Sequence, residues 1–236
     1  MEWNNKELRE LVFPQLNEEK YAQFEASMAS VQWKLNIALR SRDKCVNSLK
    51  SHSNYTQLEL AQAAMKVLLG GASDSEACTI DTMLSDSELY LISFAHAMHS
   101  IPDILSNVAY HALGLGTYKD CPRNISLWEL KKFIQKKGIY PHLLAAILDL
   151  EDCFEWIYLN AFTNVTKHQK VIGLTSSVKL VDWDNGILNV SLKGFNRNSS
   201  ISFLPVRLNV FLETDYATLG ALYLKIGQAI NRETES

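Results

Sequence analysis

The spacing of the apolar residues changes at Gly173, and this change constrains the fold more than any other feature of the sequence. Before it, apolar side chains recur every three or four residues over long stretches, which is the period of an amphipathic α-helix. After it, the side chains over 178–182 and 187–192 alternate with a period of two residues, on either side of the turn residues 184–186. Alternation around an Asn-Gly turn predicts a β-hairpin. The helical period returns from about 214 to 231.

Helical periodicity and local stop signals divide the remainder of the chain into helices. The predicted helices are 18–49, about 56–68, about 86–115, 126–138, 141–169 and about 214–231. The polar segment 72–86 is expected to be a loop after the stop signal Gly70. Ser126 and Glu129 have the spacing of a capping box, which opens the fourth helix. Pro102 lacks an amide donor, so a kink or a break is expected inside the third helix.

The predicted hairpin is too small to fold by itself. A third strand is expected at 201–204, where Pro205 stops it. Two or three short strands require helices to cover one face of the sheet. We therefore predict a mainly α fold, a helical bundle with a small antiparallel β-meander inserted at about 176–205, before the last helix.

Composition and charge exclude several classes of protein. The 236 residues are 47% hydrophobic and carry a net charge of −3, which permits a core and argues against basic character over the whole chain, though not against a local basic patch. The N-terminus lacks a signal pattern, and polar residues interrupt the most apolar stretch, 89–116. The four cysteines are scattered, which predicts free thiols. We expect a cytoplasmic protein with no membrane association and no cofactor.

A polar column on the predicted helix 141–169 is the main candidate for a functional site. Trp156, Asn160, Asn164 and His168 recur every four residues and therefore lie on one helical face. An apolar stripe beside the column places it next to the core; its members are Phe154, Ile157, Ala161 and Val165. A neutral imidazole can exchange a proton near physiological pH. Lys167 and Lys170 flank His168 and could hold a phosphate, whereas a satisfied polar seam is the structural alternative.

The segment Tyr158–Gln169 resembles the motif helix of the HEPN family, in which an Arg and a polar residue precede a His. His168 matches the His, Asn164 matches the polar residue, and Thr163 stands in the position of the Arg. The resemblance implies a single HEPN-like helical domain over 1–236 and a homodimer or a complex with another protein. It also implies a role in RNA binding or metal-independent RNA cleavage, in toxin–antitoxin or phage-defence systems. Because Thr cannot bind phosphate as Arg does, the departure favours binding over cleavage.

Three other groups of residues are alternatives. A metal could bind His96, His99 and His111 with Asp103, although such residues more often lie at the edge of a core. The basic run 131–137 could contact phosphates, although such runs are usually a solvated helix face. Cys153 has no His partner in the sequence that would activate a thiol nucleophile.

Two classes of function therefore remain open. The first is a HEPN-like protein that binds RNA or a protein partner through Lys167, Lys170 and Asn160, with Asn164 and His168 as the catalytic pair if cleavage occurs. The second is a structural or interaction subunit with no nucleic-acid role. The surroundings of Asn164 and His168 distinguish them, because a solvent-facing basic site favours RNA and a dry core favours a structural role.

Overall fold

Helices form most of the computed structural model, which describes residues 3–52, 54–123, 125–180 and 186–235. The helices are α1 (Asn5–Val12), α2 (Glu18–Lys50), α3 (Gln57–Leu69), α4 (Asp74–Ala112), α5 (Leu127–Lys137), α6 (Pro141–Glu151), α7 (Phe154–His168), the single turn α8 (Leu208–Val210) and α9 (Tyr216–Glu235). A small antiparallel sheet precedes the last helix, so the predicted mainly α class is confirmed.

Local sequence signals define the ends of α3 and α5. Thr56 and Ser126 each begin a helix with a reciprocal capping box, in which a Glu three residues later bonds back to the cap amide. Gly70 and Gly138 end the same helices in the left-handed conformation, with φ of 73° and 67°. That conformation suits Gly because it has no Cβ.

The segment 72–86 is helical from Asp74 onward, so the predicted loop is wrong. A third capping box starts α4, in which Ser73 Oγ accepts from the Glu76 amide at 3.3 Å and Glu76 Oε2 accepts from the Ser73 amide at 2.9 Å. Ile80 and Met83 are buried at helical spacing, which compensates for the polar composition of this stretch. The same helix continues through Pro102, so a break there does not occur.

The predicted helix 141–169 is two helices. α6 ends at Glu151 and α7 begins at Phe154, and the interruption changes which face is buried. Ala161 and Val165 of the predicted apolar stripe are fully buried, but Phe154 is 63% and Ile157 38% exposed. A break of two residues changes the phase of the helical repeat, which a single continuous period cannot predict.

The sheet is close to the prediction but differs in its third strand. β3 (Leu174–Leu180) and β4 (Gly186–Leu192) pair antiparallel, and most of the predicted turn lies in 181–185, outside the described residues. The strand at Ser202–Phe203 stops before Pro205 as expected, but it pairs with Phe195–Asn196 in a separate hairpin. We call these strands β6 and β5. The third strand of the larger sheet is β7 (Val206–Arg207). Two-residue strands β1 (Ser51–His52) and β2 (Tyr55–Thr56) form an additional, unpredicted hairpin.

The chain forms two compact units. Unit 1 comprises 1–36, 97–157 and 217–236, and unit 2 comprises 37–96 and 158–216. Unit 1 joins the two ends of the chain, because Trp3 Nε1 donates to Asn231 Oδ1 at 2.9 Å. Unit 2 contains the sheet and a buried aromatic cluster, whose members are Tyr158, Phe162, Phe195, Phe203 and Phe211.

Candidate nucleic-acid interface

The polar column lies along one side of α7 and reaches solvent at its C-terminal end. Asn160 and Asn164 are half-buried, and His168, the last helical residue, is exposed. The amides of Gln169 and Lys170 both donate to the Val165 carbonyl and close the helix. The imidazole therefore lies at the negative end of the helix dipole, which stabilises a positive charge.

The two asparagines bond to each other. Asn164 Nδ2 donates to the Asn160 backbone carbonyl at 2.8 Å and to Asn160 Oδ1 at 2.7 Å. The side-chain amide nitrogen of Asn164 therefore bonds to Asn160, one turn toward the N-terminus of the helix. The imidazole of His168 lies one turn away in the opposite direction. This arrangement satisfies polar groups that would otherwise destabilise the half-buried side of the helix. The catalytic roles assigned to His168 and Asn164 stay predictions.

Thr163, which occupies the position of the Arg in the family motif, faces the core. Its side chain is fully buried, and Oγ1 donates to the Leu159 carbonyl at 2.8 Å. A hydroxyl that bonds to the preceding turn is satisfied inside a helix without reaching solvent. This position cannot present a guanidinium to RNA without opening the core.

Cations cluster around the end of α7. Lys167, His168 and Lys170 are exposed, and the loop after the helix approaches the β5–β6 hairpin, where Gln169 Nε2 lies 3.5 Å from the Arg197 carbonyl oxygen. The Lys193 amide donates to the Gly173 carbonyl at 3.1 Å and joins the start of β3 to the end of β4. We call the exposed cationic residues at this end of unit 2 the α7-end basic surface: Lys167, His168, Lys170, Lys193 and Arg197.

Buried aromatic rings fix the hairpin that carries Arg197. Phe195 and Phe203, one on each strand, stack with ring centroids 5.0 Å apart. Tyr158 of α7 meets both rings edge-on, at 5.4 and 5.3 Å. The turn is shaped by Asn198, whose Oδ1 accepts from the amides of Ser200 and Ile201. Arg197 therefore has a backbone position that depends on the core of unit 2.

The α7-end basic surface lies in a stretch of the sequence that has a net positive charge. The stretch 156–207 contains six Lys and Arg against two Asp, a net charge of +4, in a chain whose total is −3. Within the described parts of the chain, Lys167, Lys170, Lys193 and Arg197 form no ion pair with a carboxylate. Their charges remain available to an anionic partner.

The basic run 131–137 differs, because most of its charges are paired. Lys131 bonds to Glu151, and Lys136 and Lys137 both pair with Asp120. Lys132 lies over the ring of Trp128, with its Nζ 3.5 Å from the centroid. Internal pairing reduces the positive potential, so this run is a weaker phosphate site than the α7 end.

The histidines of α4 have separate surroundings. His96 Nε2 lies 3.3 Å from Thr166 Oγ1, and His99 stacks on Trp156 with centroids 5.4 Å apart. Burial, with a smaller effect of Lys20, lowers the pKa of His111 and favours its neutral form. Among the described residues no group of three His, Cys, Asp or Glu side chains is arranged to hold a metal ion.

Asp103 and Cys153 have roles in local structure. Asp103 Oδ1 accepts from the Leu127 amide at 2.8 Å, at the start of α5. Cys153 Sγ donates to Glu155 Oε2 at 2.8 Å. Burial, and secondly the neighbouring carboxylate, raise the pKa of the Cys153 thiol. A raised pKa disfavours the thiolate that nucleophilic catalysis requires.

Comparison of the chain with family models, with curated proteins and with solved structures gives no match. Within the described ranges, no helix has the length and apolar character needed to cross a membrane. The candidate interface is therefore defined by this chain's own residues. No sequence motif indicates Lys193 and Arg197, because both are distant from His168 along the chain. The net charge of +4 over 156–207 is a weak signal for them, because the stretch 118–148 has the same net charge.

Proposed function

We propose that this chain is a HEPN-like protein that binds RNA through the α7-end basic surface. The observation that carries the proposal is the set of four exposed Lys and Arg side chains, unpaired within the described residues, on a surface fixed by the aromatic core of unit 2. The family resemblance adds the expectation of a cytoplasmic dimer acting in a defence or regulatory system of the toxin–antitoxin kind.

Recognition of this kind depends on the phosphate backbone. The five side chains of the surface can each approach a phosphate, and none is a Phe, Tyr or Trp, so base stacking contributes little. Counterion release then dominates the affinity, and the logarithm of the binding constant falls with the logarithm of salt by about 0.7 per phosphate on a single strand. Four contacts give a slope of about −3, with weak sequence preference.

Binding is favoured over cleavage by the position of Thr163. The residue that would supply phosphate recognition in the family motif is buried, so His168 is left without an adjacent guanidinium from that position. A single imidazole on a basic surface can bind a phosphate, but by itself it stabilises the charge of a transition state only weakly.

The test is binding of a fluorescent 20-nucleotide single-stranded RNA, measured by anisotropy at 50 and 200 mM salt. Lys170→Glu/Arg197→Glu should weaken binding about 100-fold, because two phosphate contacts become repulsive. The matched control is Lys6→Glu/Lys136→Glu, which changes the net charge equally at two exposed, ion-paired lysines of unit 1; it should change binding less than about threefold. Equal weakening by both variants, or absence of binding at 50 mM salt, contradicts the proposal.

A second candidate, a protein interface, is favoured by apolar side chains next to the same surface. Val171, Ile201 and Leu204 are 61%, 40% and 82% exposed, and the Ile201 carbonyl accepts from the Arg197 amide. Exposed apolar residues surrounded by polar and charged ones are typical of protein–protein interaction sites. If Val171→Ser/Leu204→Ser changes the mass in light scattering from dimer to monomer and leaves RNA binding intact, this surface is a protein interface.

A further inference from the structure

A cavity of about 270 Å³ opens in unit 2, and none of the residues that line it belongs to the α7-end basic surface. Its walls come from the end of α2, the start of α3, strand β4 and the chain after β7. Three buried side chains, Leu188, Val190 and Leu212, supply apolar surface. Lys50 and Glu213 line the same cavity and are exposed to solvent.

A π-helical turn brings Glu213 to the cavity. Residues Phe211–Asp215 form this turn between α8 and α9. Phe211 remains in the aromatic core and Leu212 is fully buried, whereas the next residue, Glu213, is exposed at the cavity. π-helical turns are rare, and they occur frequently at functional sites.

The two charges in the cavity are not paired with each other. Neither the Lys50 ammonium nor the Glu213 carboxylate forms an ion pair or a side-chain hydrogen bond with any residue in the described part of the chain. Lys50 is the last residue of α2, where the helix dipole favours a cation. That effect accounts for the position of Lys50 but not for a carboxylate across the same cavity.

We propose that this cavity binds a small zwitterion with an apolar body, of the chemical class of the aliphatic and aromatic α-amino acids. The ligand carboxylate binds Lys50 and the ligand ammonium binds Glu213. Its side chain contacts Leu188, Val190 and Leu212. The neutral amides of Gln57 and Asn209, which also line the cavity, provide donors and acceptors that orient a charged group without repelling it.

The volume sets the size of the ligand. Cavities that take drug-sized molecules occupy about 300–1,000 Å³, so 270 Å³ suits a smaller metabolite. A ligand of about nine heavy atoms held by two solvent-accessible ion pairs and one apolar contact has an expected Kd of about 10–1,000 μM. The apolar wall excludes a zwitterion that has no apolar body, such as glycine, as a tight ligand.

The experiment is isothermal titration calorimetry of the full chain with L-leucine, L-methionine and L-phenylalanine. At least one should bind, and Lys50→Gln and Glu213→Gln should each weaken that binding at least tenfold. The control variants Lys20→Gln and Glu235→Gln make the same chemical changes at exposed positions outside unit 2 and should leave binding unchanged.

Two analogues separate the contributions of the charges. 4-Methylpentanoate lacks the ammonium and 3-methylbutylamine lacks the carboxylate of leucine; each should bind at least tenfold more weakly. The proposal is overturned if none of the three amino acids binds, if both cavity variants bind as well as the controls, or if either analogue binds as tightly as L-leucine. RNA binding measured on the same variants is expected to be unchanged, so this result is independent of the RNA proposal.

Discussion

The hydroxyl of Thr163 donates to the carbonyl of Leu159 at 2.8 Å inside a fully buried side of α7. Thr163, which the proposed HEPN resemblance aligns with a phosphate-binding Arg, therefore lies in the core of unit 2. Thr163→Arg should therefore lower the free energy of unfolding by about 3–5 kcal/mol, because a buried charge has no partner there. Urea denaturation measures this change.

Thr163→Val is the matched control for that substitution. It keeps the shape and loses one intrahelical hydrogen bond, so it should cost about 1 kcal/mol. A stable Thr163→Arg protein that gains RNA cleavage would show that this position reaches the RNA and that the core assignment is wrong.

Two glycines of α9 should respond oppositely to alanine. A Cβ at Gly220 meets no atom within 4 Å, whereas a Cβ at Gly227 would lie 2.6 Å from the indole of Trp3. Gly220→Ala should stabilise the protein by about 0.5–1 kcal/mol through helix propensity. Gly227→Ala should destabilise it by about 1–3 kcal/mol, because Trp3 must move. Thermal unfolding of both variants checks this, and equal shifts would contradict the docking of Trp3.

The capping box at the start of α4 should give a pH-dependent contribution to stability. The Lys66 ammonium and secondly the Ser73 amide lower the pKa of Glu76 from 4.5 to about 2. Because the folded pKa lies below the unfolded one, the contribution is complete above about pH 4.5 and is lost as the pH falls toward 2. Glu76→Gln should therefore reduce the loss of stability between pH 5 and pH 2, measured by urea denaturation. An unchanged pH profile would show that the interaction contributes nothing.

The four cysteines should react with thiol reagents in distinct phases. They form no disulfide in the described structure, and Cys45 is fully buried while Cys78 is exposed. Burial raises the pKa of the Cys45 thiol to about 12, so its thiolate fraction at pH 8 is on the order of 10⁻⁴. Iodoacetamide should label Cys78 first and Cys45 only after unfolding, with four equivalents in denaturant. Mass spectrometry locates each label, and early labelling of Cys45 would contradict its burial.

Features that depend on a few neighbouring residues were readable from the sequence. The capping box at Ser126 and the stops at Gly70 and Gly138 act within one helical turn, so their residue pattern suffices. The capping boxes at Thr56 and Ser73 have the same local pattern, although neither was predicted, and the polar residues after Ser73 indicated a loop instead. The alternation after Gly173 predicted the β3–β4 hairpin for the same local reason.

The sequence by itself determined the mainly α class, most of the helices and the hairpin, because hydrophobic period and capping are local properties of the chain. Tertiary structure decided that α7 buries Thr163, that β7 rather than β6 joins the larger sheet, and that Arg197 lies near the end of α7. It also decided that Lys50 and Glu213 line one cavity. These outcomes depend on contacts between residues distant in sequence, whose free energy comes from burial in a shared core and leaves no local pattern.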